Sequence, residues 1–303
     1  MALTRLMLCV VVAILVLAPR LDLAARVGPL DDGTHIAKPN NGGRQGKANL
    51  ASDPSEDERS SLSFLYKYMP ASDRKMLSYS FLLNQTRLAL KARADNDWAR
   101  EVPWDVFQNY VLPYANLDEP REDWRSEFYA RFAPMVSGTT SILDAAVALN
   151  YQIWTSGGWN ITFKAQQTPD IMSPSQVIEA GYASCTGLAI FLVNACRSVG
   201  IPSRVAGIAE WVGNGGNHNW VEVWQGGVWS FTDPLGFPHR PWNTTWFFPD
   251  PVRQALPGSY PHGVYGASFK RTGREFPLAW RDEYESVVPG YDVTTYYIEA
   301  AAA

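Results

Sequence analysis

The order of hydrophobic and polar residues separates a helical N-terminal region from a mixed region that follows it. Between residues 61 and 136, apolar residues recur every three or four positions, as in RKMLSYSFLLNQTRLALKARA and WRSEFYARFAPMV. This spacing places the apolar side chains on one face of a helix. The pattern therefore predicts a helical N-terminal region over residues 61–136, punctuated by its prolines.

A nearly continuous apolar segment predicts a buried helix in the middle of the chain. The segment CTGLAIFLVNACRS begins at Cys185, and its apolar residues cover almost the whole circumference of a helix. Gly200 is expected to end this helix, and Pro202 prevents its continuation. A helix that is apolar nearly all round belongs in a protein core.

Strand-like segments follow this helix and predict an antiparallel sheet. They are RVAGIAEWV, NWVEVW and VWSFTD, at residues 204–212, 219–224 and 228–233. Gly226 and Gly227, between the last two, have the composition of a two-residue hairpin turn. A central helix followed by antiparallel strands predicts an α+β fold.

The hairpin also predicts which side chains lie together. With Gly226 and Gly227 as the turn, the register places His218 diagonally across from Asp233 on one side of the sheet. Diagonal neighbours are about 7 Å apart at Cβ, which a carboxylate and an imidazole can span. A turn displaced by one residue would put the two side chains on opposite faces, so this prediction depends on the register.

Composition and charge narrow the classes of partner. The chain has 303 residues, of which 46% are hydrophobic and 18% charged, and its formal net charge is −4. These values are ordinary for a soluble globular protein, and they indicate neither nucleic acid nor an anionic membrane surface as a partner.

The N-terminal 60 residues contain two segments that lie outside the predicted fold. Residues 1–25 include the apolar run from Leu6 to Ala18, which is short for a membrane span of about 20 residues and predicts a signal peptide or a short membrane anchor. Residues 26–60 are polar and rich in Gly, Asn, Asp and Ser, which predicts a disordered linker. We therefore expect a secreted, extracytoplasmic or membrane-tethered protein.

Cys185 and Cys196 are the cysteines that follow the leader, and helical geometry predicts that they are not joined. On one helix they would be separated by a rise of about 16 Å, whereas a disulfide needs Cα atoms within about 7 Å of each other. Both are expected to be free thiols. Cys196, in the middle of the helix, is expected to be a packing residue.

Cys185 has the position of a reactive thiol, because a helix N-terminus lowers a thiol pKa and offers backbone N–H groups to an oxyanion. A cysteine nucleophile also needs an imidazole and a group that orients it, and His218 and Asp233 are the candidates. The alternatives are an inert core thiol at Cys185 and a simple turn residue at Asp233. The order of the three residues favours the catalytic interpretation.

The motifs SCTGLAIFLVNACRSVGIPSRV, GNHNWVEVW and WSFTDP resemble the core of the transglutaminase-like superfamily, over roughly Thr139 to Pro234. This superfamily is related to papain-like cysteine enzymes and includes peptide N-glycanases. The resemblance implies a papain-like core with Cys185 as nucleophile, His218 as general acid and base, and Asp233 as the orienting carboxylate. It also implies an acyl-thioester intermediate, which water or an amine resolves.

The resemblance implies further features of the site and of the chain. Family members often complete the oxyanion hole with an upstream aromatic or amide side chain, for which Trp154 or Gln152 is the candidate. The large flanking domains and acidic metal sites of calcium-dependent animal members are missing, so no metal or other cofactor is expected. The catalytic core is placed at residues 137–270, with a C-terminal extension at residues 271–303.

The expected function is a cysteine-dependent hydrolase or acyltransferase that acts on peptide-like amide bonds. Its substrate is expected to be a peptide, a protein or a glycopeptide, with hydrolysis preferred because water needs no second binding site. The alternative is a noncatalytic module that keeps the fold and binds peptides or glycans in an aromatic cleft. The complete Cys, His and Asp set favours the enzyme.

Overall fold

A computed structural model describes residues 53–155, 159–213, 215–235 and 242–302. The leader at residues 1–25 and most of the predicted linker lie outside the described residues. The helices of the N-terminal region are α1 (Glu56–Tyr68), α2 (Ala71–Met76), α3 (Tyr79–Asp95), α4 (Asp97–Arg100), α5 (Trp104–Tyr110) and α6 (Arg125–Phe132). A 3₁₀ turn at Ala133–Val136 and helix α7 (Ile142–Thr155) follow.

The mixed region then alternates short strands and helices before it forms the main sheet. In chain order it contains β1 (Thr162–Phe163), α8 (Pro174–Ala180), β2 (Tyr182–Ala183), α9 (Cys185–Ser198), β3 (Ser203–Ile208), β4 (His218–Gln225), β5 (Val228–Thr232), β6 (Val264–Ala267), β7 (Gly290–Asp292) and α10 (Thr294–Ala302), with 3₁₀ turns at Val252–Gln254 and Asp282–Tyr284. The main sheet is antiparallel, in the order β5-β4-β3-β6-β7, and β1 pairs with β2 in a separate parallel ribbon. The predicted α+β fold, with a helical region ahead of a central helix and an antiparallel sheet, is confirmed.

Helix α1 begins at Glu56, inside the range predicted as linker. Ser55 and Glu58 explain this start, because the Ser55 side chain accepts from the Glu58 N–H at 3.2 Å while the Glu58 carboxylate accepts from the Ser55 N–H at 2.7 Å. This reciprocal capping box satisfies two backbone donors that would otherwise lack partners. Arg87 on α3 also binds the Glu58 carboxylate, at 2.6 Å, so the first turn of α1 is tied to its neighbour.

The central helix α9 lies in the core, as predicted. Every residue from Thr186 to Ser198 is buried, and the helix packs against α6, α7, β3 and β4. Arg125 of α6 fixes the far end of α9, because its buried guanidinium donates to the Arg197 carbonyl oxygen at 2.8 Å. The helical N-terminal region is thereby joined to the element that begins at Cys185.

The hairpin of β4 and β5 has the predicted register. Gln225 pairs with Val228, and the ladder continues to the pair of Val221 with Thr232. Gly226 and Gly227 form the turn with φ values of 59° and 94°, which glycine adopts without a steric penalty. With this register, His218 begins β4 just where Asp233 follows the end of β5.

The residues predicted as a C-terminal extension contribute to the same sheet and core. β7 pairs with β6, and Tyr297 of α10 is fully buried. Tyr297 donates to Glu222 at 2.8 Å and accepts from the Trp220 indole at 2.6 Å, while Arg204 binds the other oxygen of Glu222 at 2.5 Å. This buried network stabilises β4, the strand that carries His218. Among the described residues, no helix is both long enough and apolar enough to span a membrane.

Candidate active site

Cys185 is the first residue of α9 and is partly exposed. Ser184 caps the helix, because its hydroxyl accepts from the Gly187 N–H at 3.5 Å. The backbone N–H of Ser184 donates to the side-chain oxygen of Gln167 at 2.6 Å. The cap fixes the direction in which the first turn starts. Cys185 is therefore held at the positive end of the helix dipole, where a thiolate is favoured.

His218 lies between Cys185 and Asp233. Its Nε2 atom is 2.7 Å from Oδ1 of Asp233, and the ring also forms a hydrogen bond with the sulfur of Cys185. Because Nε2 is used by Asp233, the other ring nitrogen faces the sulfur. Trp246 and Phe247 pack on the imidazole, with ring centroids 5.0 and 5.3 Å away. The structure thus brings together the three residues singled out in the sequence.

Asp233 is positioned by a hydrogen bond from α7. The Asn150 amide donates to the backbone carbonyl of Asp233 at 2.8 Å, and the Trp154 indole donates to the Asn150 oxygen at 3.0 Å. An indole has a single N–H, so Trp154 has no donor left for an oxyanion. The oxyanion role expected for Trp154 stays a prediction, and in this structure the residue supports the Asp233 segment. Gln152, the other candidate, donates to the Met135 carbonyl at 3.4 Å.

The electrostatic environment favours a charged Cys185 and His218 pair. Burial acts to raise the pKa of the Cys185 thiol, but the hydrogen bond and charge of His218 outweigh it and hold that pKa below its ordinary value. Burial acts to lower the pKa of His218, while hydrogen bonds to Asp233 and Cys185 prevail and raise it to about 9. Each partner therefore favours the charged form of the other, the thiolate of Cys185 and the imidazolium of His218.

Cys196 has the opposite environment. It is a free thiol, buried in the middle of α9, and burial raises its pKa to about 12. A thiol with so high a pKa is almost entirely protonated at neutral pH and is a poor nucleophile. The prediction that the two cysteines are both free is confirmed.

A cleft of about 370 Å³ opens at Cys185 and His218. Phe163 and Trp246 line it with rings that are more than half exposed, and Leu188 adds an apolar surface. Phe163 and Trp246 were not identified in the sequence, because they lie outside the motifs that carry the three polar residues. A larger cleft of about 620 Å³ lies beside Met76 and contains none of the three. The candidate active site is therefore identified by the reactive side chains in its cleft, and not by the volume of the cleft.

Metal-binding groups give no further site within the described ranges. There, no three His, Cys, Asp or Glu side chains are grouped closely enough to hold a metal ion.

Residues 130–234 match the model of the family described as the transglutaminase-like superfamily. The resemblance inferred from the sequence is confirmed. The matched segment, here called the transglutaminase-like core, spans about a third of the chain. It includes α9 and the hairpin of β4 and β5, and it ends directly after Asp233.

The comparison with solved structures gives a more distant similarity. A crystal structure of a candidate cysteine protease from Cytophaga hutchinsonii matches with a TM-score of 0.35 and 18% sequence identity, over 46% of this chain and 45% of that one. The chain thus spans less than half the length of that structure. The comparison with curated proteins gives no match. The transglutaminase-like match, within an α+β fold, supports a papain-like cysteine enzyme in general.

Proposed function

We propose that the protein is a cysteine-dependent hydrolase that cleaves peptide-like amide bonds through an acyl-thioester. One observation carries this proposal: the sulfur of Cys185, at the start of a buried helix, is hydrogen-bonded to a histidine whose Nε2 atom lies 2.7 Å from Asp233. A noncatalytic binding module has no need for a thiol with a lowered pKa beside an imidazole with a raised one.

In the first half of the reaction, the Cys185 thiolate attacks the carbonyl carbon of the amide. The carbonyl becomes a tetrahedral oxyanion, and the C–N bond then breaks as the His218 imidazolium gives its proton to the departing amine. The acyl group remains on sulfur as a thioester. Asp233 keeps the imidazole oriented for both proton transfers.

In the second half, water replaces the amine. Neutral His218 takes a proton from the water as it attacks the thioester carbonyl, and the tetrahedral intermediate expels the Cys185 thiolate. The product is a carboxylic acid, and the starting thiolate and imidazolium pair is restored. An amine in place of water would give transfer. We prefer hydrolysis because water needs no second site.

The backbone N–H of Cys185 is the proposed donor to the oxyanion. The first N–H groups of a helix have no partner within the helix, and that of Cys185 lies next to its own sulfur. In this turn, the Gly187 N–H is used by the Ser184 hydroxyl and the Leu188 N–H by the Ser184 carbonyl. Preorganised donors of this kind stabilise the charge that develops during attack.

The proposed substrate is a peptide, a protein or a glycopeptide that lies along the cleft between Phe163 and Trp246. These exposed rings offer apolar walls to an acyl chain. The apolar leader of the sequence supports the further proposal that the protein acts outside the cytoplasm, either secreted or tethered to a membrane.

Turnover and acyl-enzyme trapping test the proposal together. Wild type and Cys185→Ala would be incubated with peptides, with glycopeptides, and with peptides plus an amine donor. Mass spectrometry would then measure the masses of the products and of the intact enzyme. Cys196→Ala is the matched control, since it removes the buried thiol of the same helix.

The proposal predicts cleavage and an acyl adduct on Cys185 in wild type and in Cys196→Ala, and neither in Cys185→Ala. Cleavage that persists in Cys185→Ala would contradict it. Amine incorporation in excess of cleavage would replace hydrolysis with transfer.

A further inference from the structure

Thr186 and Asn219 form a buried pair directly beside the sulfur of Cys185. The Asn219 amide nitrogen donates to the Thr186 hydroxyl oxygen at 2.7 Å, and each residue is 3% exposed. Hydrogen bonds from the Asn219 backbone and the Thr186 side chain act to lower the pKa of the Cys185 thiol. Both residues of the pair therefore influence the reacting atom.

The donor and acceptor roles in this pair are fixed by chemistry. The Asn219 nitrogen can only donate, so the Thr186 oxygen accepts at that contact. A hydroxyl has a single proton, and this contact leaves it free to point elsewhere. Thr186 directly follows Cys185, and its side chain acts to lower the pKa of that thiol, which is the effect of a donor to the sulfur. Asn219 thus leaves the Thr186 hydroxyl free to turn its hydrogen toward the nucleophile.

The sheet makes room for the Asn219 side chain by means of a glycine. Gly207 on β3 lies opposite Asn219, and a Cβ atom built on Gly207 would lie 1.9 Å from the Asn219 side-chain oxygen. Any larger residue at this position would displace the amide. The backbone of β3 therefore holds the orientation of Asn219, which in turn holds that of Thr186.

We propose that Thr186 is a catalytic residue that donates a hydrogen bond to the Cys185 thiolate, and that Asn219 is the positioning residue that directs the Thr186 hydroxyl to it. This inference rests on the proposed function, because it assigns a role within the same reaction. It supplies the thiolate with a donor that does not titrate, in addition to His218. This hydrogen bond favours the charged form of the sulfur and holds the orientation of the Cys185 side chain at the start of α9.

The test is the rate of iodoacetamide alkylation of Cys185 against pH, resolved by peptide mass spectrometry in the full chain. Thr186→Val removes the hydroxyl with little change of shape, and Thr186→Ser keeps the hydroxyl. The titratable groups that act on Cys185 are His218 and, behind it, Asp233, and both stay unchanged. Circular dichroism confirms the fold of each variant before labelling.

The alkylation midpoint is expected to rise by about one pH unit in Thr186→Val, which is a tenfold loss of thiolate below the midpoint. Thr186→Ser should keep the wild-type midpoint, and Asn219→Ala should give a smaller rise because the hydroxyl then rotates. Equal, low midpoints in wild type and Thr186→Val would overturn the role of Thr186 and leave the proposed function standing. A wild-type midpoint at the ordinary thiol value of about 8.5 would overturn the proposed function itself.

Discussion

The Nε2 atom of His218 lies 2.7 Å from Oδ1 of Asp233, although the two residues are 15 positions apart in the chain. The hairpin of β4 and β5 creates this contact, since His218 begins one strand and Asp233 follows the end of the other. Because this contact uses Nε2, the other ring nitrogen of His218 is the one available to Cys185.

Asp233→Asn is expected to keep the fold and lose most of the activity. The amide has almost the shape of the carboxylate, but its negative charge is gone and it can present N–H to the ring, which favours the wrong tautomer of His218. We expect amide hydrolysis to fall by about 10²-fold to 10⁴-fold, the usual contribution of acid and base catalysis. Steady-state kinetics measures the loss. A variant with wild-type rates would show that Asp233 is only a turn residue.

The protonation of His218 is expected to respond to both of its partners. Its pKa is raised to about 9 by hydrogen bonds to Asp233 and Cys185 against the effect of burial. The imidazolium therefore persists as the pH rises past neutral and loses its proton near pH 9. Asp233→Asn and Cys185→Ala each remove a negative partner, so each should lower the pKa of His218.

NMR of the histidine ring carbons measures this titration, with His262 as an internal control. His262 is bonded to the Glu210 carbonyl, so its ring signals at one fixed pH report whether each variant keeps its fold. Hydrolysis by wild type should lose rate as the pH passes about 9, because the amine leaving group needs the proton of His218. A His218 midpoint that stays the same in both variants would contradict the account.

Trp154→Phe distinguishes a supporting residue from an oxyanion donor. The change leaves the Asn150 oxygen without its indole partner, which should cost about 1–3 kcal/mol of unfolding free energy. The turnover number of the folded enzyme should change little. Loss of an oxyanion donor would instead lower it by about 10²-fold to 10³-fold. Denaturant unfolding and kinetics measure the two effects separately.

Trp280→Phe is the control for that experiment, since it removes an indole N–H bonded 3.2 Å from Asp118, in a partly exposed position. It should cost less stability than Trp154→Phe and leave the turnover number unchanged. A large loss of turnover in Trp154→Phe with full stability would assign Trp154 the oxyanion role expected from the sequence.

The ion pair of Arg204 and Glu222 is expected to be a major support of β4. Both side chains are buried, with Arg204 4% and Glu222 1% exposed, so Glu222→Gln leaves the guanidinium charge without its counter-charge. Breaking a buried pair in this way typically costs about 3–5 kcal/mol. Glu283→Gln, on an exposed carboxylate, is the control and should have almost no effect. Unfolding in urea measures both, and equal midpoints would contradict the structural role.

Local sequence patterns were enough to predict the burial of α9 and the register of the hairpin of β4 and β5. The apolar circumference of α9 fixed its burial, and Gly226-Gly227 fixed the register that joins His218 to Asp233. The supporting contacts depend on how distant segments pack. Trp154 donates to Asn150 on its own helix, but the choice of that partner over an oxyanion follows from where α7 lies against β5.

The pair of Thr186 and Asn219 shows the same limit. Each residue is adjacent in sequence to a proposed catalytic residue, Cys185 or His218, and neither has a periodic or capping pattern that marks it. Their contact requires α9 to pack on β4 at one particular position along the strand. The hydrophobic pattern predicts that these elements pack together, whereas their relative position is set by side-chain fit across the whole interface.

The reactivity of the two cysteines shows whether Cys185 is an activated nucleophile. A thiol-reactive probe at mildly acidic pH would be applied to wild type and to His218→Ala, with labelling at Cys185 and Cys196 counted by peptide mass spectrometry. We expect Cys185 to be labelled at least about 10²-fold faster than Cys196, since a pKa difference of two units alone changes the thiolate fraction a hundredfold. His218→Ala should slow Cys185 and leave Cys196 unchanged. Equal, slow labelling of both cysteines in wild type would contradict the claim that Cys185 is an activated nucleophile.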